Sequence, residues 1–133
     1  VLYSVPQISM LIEKLPPDHY EMLKFYISFW QEWKTTLLEG KLTATNPESE
    51  YSLVCSRLSD KEVYTAYNDT IIPVTTRETV AVNVSAKKSL IIKNAIGKNY
   101  KVVNCMGQEV SKGVINSKLE EIQVPTAGII FVD

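Results

Sequence analysis

The spacing of apolar residues changes character along this chain. Between residues 16 and 39 they recur at helical intervals, with Phe25, Phe29, Trp33 and Leu37 four apart and Met22, Tyr26 and Trp30 beside them. Pro16-Pro17 suits a first helical turn, where the missing N–H groups need no partner. Asp18 and Glu21 put negative charge near the positive end of the helix dipole, with Asp18 a candidate N-cap. Gly40 is the expected stop. From about Tyr51 onward the period is that of strands. Runs at 51–58, 61–67, 71–74, 79–84, 88–94, 99–105, 108–115, 118–124 and 128–132 are rich in Val, Ile, Thr and Tyr. Turn residues such as Asn68-Asp69, Met106-Gly107 and Asn116-Ser117 separate them. Val80, Val82 and Val84 alternate with Ala81 and Asn83. No helical stretch fits between these runs, so βαβ units are excluded and an antiparallel β-sandwich is expected. Residues 1–15 read as an extended start and a loop, with Pro6 arguing against a central strand. The fold class is therefore mainly β: an antiparallel β-sandwich preceded by one long amphipathic α-helix. The expected units are 1–42, a terminal loop and helix, and 43–133, the sandwich.

The helix is apolar around too much of its circumference to serve one sheet. At about 100° per residue, the residues named above with Leu23, Ile27 and Leu38 cover an arc of roughly 220°, against a stripe of about 100° for a helix lying on a single surface. A second partner is expected, and Phe25, Phe29, Trp30 and Trp33 are the expected domain or oligomer interface. Either a neighbouring domain or a second copy, forming a homodimer through the helix, would cover them. The chain opens on Val1-Leu2-Tyr3 without Met, which fits a piece of a longer protein.

Composition narrows the partners. Fourteen basic and fifteen acidic side chains leave a formal charge of −1, and the only basic doublet, Lys87-Lys88, falls at an expected turn. That gives no basic stripe for nucleic acid. The most apolar stretch, Met22 to Trp33, is broken by Lys24, Gln31 and Glu32, so no membrane span is expected. Cys55 and Cys105 lie far apart in sequence, each in an expected strand, with no metal-ligand spacing.

Candidate chemistry is sparse. His19 is the single histidine, in the first helical turn, and neither a metal site nor a Ser-His-Asp arrangement assembles around it. The close carboxylate pairs Glu48/Glu50, Asp60/Glu62 and Glu120/Glu121 fall in a loop, at a hairpin and on an exposed strand face, where solvated acids are ordinary. The five glycines are scattered and cradle no phosphate. Asn68-Asp69-Thr70 and Asn83-Val84-Ser85 match the glycosylation sequon. No catalytic residue, cofactor site or metal site is expected. A sugar-stacking surface on the strands would have to come from Tyr64, Tyr67 and Tyr100.

The residues also carry a likeness. Val5-Pro6-Gln7-Ile8-Ser9-Met10, then Leu15-Pro16-Pro17-Asp18-His19, then the aromatic helix Met22 to Trp30 resemble the end of melibiase-type α-galactosidases. Asn46-Pro47-Glu48 before Tyr51 and the stretch Val124-Pro125-Thr126-Ala127-Gly128-Ile129-Ile130 resemble the entry and the final hairpin of the β-sandwich in that family. The resemblance implies that residues 1–39 end a β/α barrel and that the sandwich supports it. The partner would then be the catalytic barrel of the parent chain. The family's catalytic aspartates have no counterpart here, so the implied role is a non-catalytic C-terminal structural domain of a glycoside hydrolase. Two other readings compete with it: a carbohydrate-binding module, and a cell-surface adhesion or scaffold domain.

Overall fold

The computed structural model describes residues 2–133; Val1, part of the opening apolar run, lies outside them. Helix α1 spans Pro17–Glu39. Ten strands follow: β1 Lys41–Thr45, β2 Leu53–Leu58, β3 Lys61–Ala66, β4 Ile71–Pro73, β5 Glu78–Asn83, β6 Ser89–Lys93, β7 Asn99–Val103, β8 Glu109–Val114, β9 Leu119–Gln123 and β10 Ile129–Val132. They form a seven-stranded sheet, ordered β1-β2-β3-β5-β10-β7-β8, and a three-stranded sheet, ordered β4-β6-β9. The protein is mainly β with one long helix before the strands, as the pattern predicts.

The layers follow from alternation. On β5, Val80 and Val82 turn to one face of the large sheet, where they meet Phe29, Trp33 and Leu37 of the helix. Ala81 turns to the other face and joins Ile72, Leu90, Ile92, Ile122 and Ile130 between the sheets. The order is thus helix, large sheet, small sheet, with a separate apolar cluster in each gap. Being covered on both faces, β3 and β5 are buried over nearly their whole length.

Most pairs are antiparallel, but β3–β5 and β4–β6 are parallel. The chain leaves β3 for β4 in the small sheet, returns to lay β5 beside β3, then crosses again to lay β6 beside β4. Each parallel pair is therefore a crossover between sheets rather than a βαβ unit. The purely antiparallel expectation is corrected at these two ladders. Residues 124–130 are also not a hairpin: they carry the chain from β9 in the small sheet to β10 in the large one.

Strand β1 was not expected, because all five of its residues are exposed and no buried face marks it in the sequence. Residues 12–14 form a short 3-10 helix within the expected loop. Asp18 is not the N-cap: Pro16 takes that position, and no side chain caps the helix. Gly40 ends the helix, yet its φ of −68° is open to any residue. Its smallness matters instead, since a Cβ there would lie 2.3 Å from the Thr36 carbonyl oxygen and 2.4 Å from Ser56 Oγ.

Candidate functional site

Two places gather polar or apolar chemistry, one at the margin where the large sheet outreaches the small one and one on the helix side of the large sheet. The first lies over β1, β2 and β3. Antiparallel register sets Lys41, Arg57 and Glu62 in one row across these strands, and Thr43, Cys55 and Tyr64 in the next. Glu62 is completely buried. Its Oε1 accepts from the Thr75 backbone N–H and from Thr79 Oγ1, each at 2.8 Å. Its Oε2 accepts from Thr75 Oγ1 at 2.8 Å, Arg57 Nη2 at 2.9 Å and Nε at 3.1 Å, and Tyr64 Oη at 3.2 Å. Burial pushes the Glu62 pKa up, but these hydrogen bonds outweigh it and hold the carboxyl below the usual glutamate range. Glu62 is thus a buried, fully engaged anion, which corrects the expectation that the acid pairs are solvated. Asp60, its neighbour in that pair, is exposed. Among the described residues, its hydrogen-bond partners are Arg57, Tyr64, Thr75 and Thr79, and none is a carboxylate.

Beside this network, a groove of about 440 Å³ opens between the β1–β2 margin and β4. Lys41, Thr43 and Thr45 of β1, Arg57 of β2 and Pro73 of β4 line it, and no carboxylate does. Cys55, on the same wall, is buried, and burial lifts its thiol to about 11 against the opposing Tyr64 hydrogen bond. That shift favours the protonated thiol over the nucleophilic thiolate at neutral pH.

The second place lies between the helix and the segment before it. Tyr3 Oη donates to the Val54 carbonyl at 3.0 Å and bonds Thr65 Oγ1 at 2.8 Å. Trp30 Nε1 donates to the Ser4 carbonyl at 3.1 Å. The chain before α1 is thereby strapped over the second side of the helix. Ile8, Met10, Leu23, Ile27 and Trp30 then line an apolar groove of about 440 Å³.

The four aromatic positions expected at an interface separate. Phe29 and Trp33 are buried against the chain's own sheet and offer no surface to a partner. Phe25 and Trp30 are half-buried; Phe25 packs on Gly107, whose added Cβ would meet the ring at 2.4 Å. Tyr64 is buried, Tyr100 packs against the inter-sheet core and only Tyr67 is exposed, so the three form no row for a sugar. The faces of the Trp33 and Phe131 rings carry Lys61 and Lys101 ammonium groups at 5.2 Å. His19 is exposed, and among the described residues no group of three His, Cys, Asp or Glu is placed to hold a metal ion. Both cysteines are free. Of the two sequons, Asn83 is fully buried, its amide donating to the Lys87 and Val124 carbonyls, whereas Asn68 is exposed.

What sequence reasoning missed is the Lys41–Arg57–Glu62 row. Its signal was present in part, since Glu62 shares a strand face with Tyr64 and Ala66. Lys41 carries none until β1 is known to pair with β2.

No curated protein and no solved structure matches this chain. One family model, described as Domain of unknown function (DUF6383), matches residues 66–133, from the last residue of β3 through β10. That stretch is just over half of the 133 residues, and the chain belongs to the DUF6383 family.

Proposed function

We propose that this chain is a non-catalytic β-sandwich module whose helical layer docks on a neighbouring domain of a longer parent protein. The observation that carries the reading is the apolar groove of Ile8, Met10, Leu23, Ile27 and Trp30. Met10 in its lining is exposed, and so are Leu11 and Ile12, the next two residues of the chain. The engaged state of Glu62 and the protonated thiol of Cys55 support the non-catalytic half of the proposal. The likeness of residues 5–30 to melibiase-type α-galactosidases makes a hydrolase barrel of that type the specific neighbour to test.

The test compares this chain with the parent on an aryl α-galactoside. The chain alone should give no turnover, and turnover by it would overturn the non-catalytic role. An inert parent would remove the α-galactosidase-type neighbour. Acrylamide quenching tests docking separately: Trp30 fluorescence should be more shielded in the parent than in the isolated chain, and equal quenching would eliminate this face as the contact.

A further inference from the structure

Each sheet leaves two strands at its margins, β1 and β8 in the large sheet, β4 and β9 in the small one. An unpaired margin presents free N–H and C=O groups, and folded proteins usually blunt it. Three of the four are blunted here. β4 has three residues and ends in Pro73. β8 carries the Glu109–Lys112 ion pair and faces an irregularity at Val102/Val103. β9 carries Glu120 and Glu121 in its centre. β1 has five residues, no proline and no bulge in its ladder, and it lies beside the open groove.

The charges along this margin are unbalanced. Lys41 stands directly across from Arg57, and Arg57 directly across from Glu62. Arg57 is satisfied by Glu62 at 2.9 Å, whereas Lys41 joins none of the ion pairs among the described residues. Like charges opposite one another on a sheet face repel. A carboxylate on the far side of Lys41 would complete a row of anion, Lys41, Arg57 and Glu62.

We propose that β1 is a docking strand for an extended acidic peptide, which adds antiparallel to it and extends the seven-stranded sheet by one. The peptide's carboxylate sits opposite Lys41, and small polar side chains sit opposite Thr43 and Thr45 along the groove. Leu42, which is 57% exposed on the other face of β1, takes an apolar residue opposite it. A second copy of this chain satisfies the site less well. Antiparallel self-pairing centred on Thr43 would put Lys41 opposite Thr45 and leave its charge uncompensated. This inference is independent of the apolar groove on the helix side.

The test titrates the ¹⁵N-labelled chain with a capped peptide carrying Thr-Val-Thr-Val-Glu between Gly-Ser flanks. Saturable amide shifts and slowed exchange confined to residues 41–45 are expected. Replacing the peptide's Glu by Lys should weaken binding about fivefold, and Lys41→Glu should reverse that preference by a similar factor. Lys41 is exposed, so this variant folds; Ala44→Pro, which removes an N–H from the strand, should lower affinity for either peptide. No saturable shift at residues 41–45, or equal affinity for both peptides, would overturn the proposal. Concentration-dependent shifts there without peptide would assign the margin to a second copy instead.

Discussion

At the scale of single residues, Glu62 is where the fold is most sensitive. A carboxylate with no solvent contact keeps its charge only because every lone pair is answered, by Arg57, Thr75, Thr79 and Tyr64. Glu62→Gln keeps the shape but brings an NH₂ group against these donors and leaves Arg57 without its counter-ion. It should destabilise by about 2–4 kcal/mol, read from the urea midpoint at pH 7. The pH dependence has a definite sign. Because the folded pKa of Glu62 lies below its unfolded value, its contribution is fully present above the ordinary glutamate pKa and is lost as pH falls through the folded one. The native chain should therefore lose stability on acidification below about pH 4.5, with the slope shallower in Glu62→Gln. Equal slopes would mean that some other carboxylate governs the acid transition.

Elements whose burial is periodic were legible from sequence, and those defined by pairing were not. The helix and strands such as β6 bury side chains at regular intervals, so the pattern marks them directly, while β8, which buries none, is marked by Val110, Val114 and the turns that flank it. β1 buries none and exists because it is hydrogen-bonded to β2, a relation that no local period records. The parallel β3–β5 ladder escaped for a similar reason: strand order is decided by which sheet each crossover enters. The candidate docking margin inherits both gaps, since it is made of β1 and its register. Gly40 was marked as a stop, but for a reason the backbone does not support. Its role is to let the helix end pass close over β2, where Ser56 Oγ donates to the Thr36 carbonyl at 2.6 Å. Gly40→Ala should thus cost about 1–3 kcal/mol through overpacking, whereas a purely left-handed cap would be indifferent to Ser56. The double variant Gly40→Ala/Ser56→Ala separates the two: its thermal midpoint should fall by less than the sum of the single changes. Additive losses would place the strain elsewhere.

For the whole molecule, the family match and the folding unit do not have the same boundaries. Residues 66–133 hold the entire small sheet and the strands β5, β10, β7 and β8, but not β2, β3 or the helix. Without them, β5 loses its parallel partner, and Val80, Val82, Val103 and Ile129 lose the cover of Phe29, Trp33 and Leu37. On the inter-sheet side, Leu53, Cys55 and Tyr64 would be missing from the core. Ties across the layers reinforce this unity. Tyr26 Oη donates to the Ala127 carbonyl at 2.6 Å, pinning the helix to the β9–β10 crossing, and the Ala127 N–H in turn bonds the Asn83 carbonyl. Helix, large sheet and small sheet should therefore melt together, in one transition with calorimetric and van't Hoff enthalpies in agreement. A fragment limited to residues 66–133 should bind a hydrophobic dye and show no cooperative transition, because it exposes a sheet face that the intact chain covers. Cooperative melting of that fragment with retained amide protection in β5 and β10 would mean that the helix and the first three strands are an appended layer, and the chain would then have to be divided within β3 rather than treated as one cooperative body.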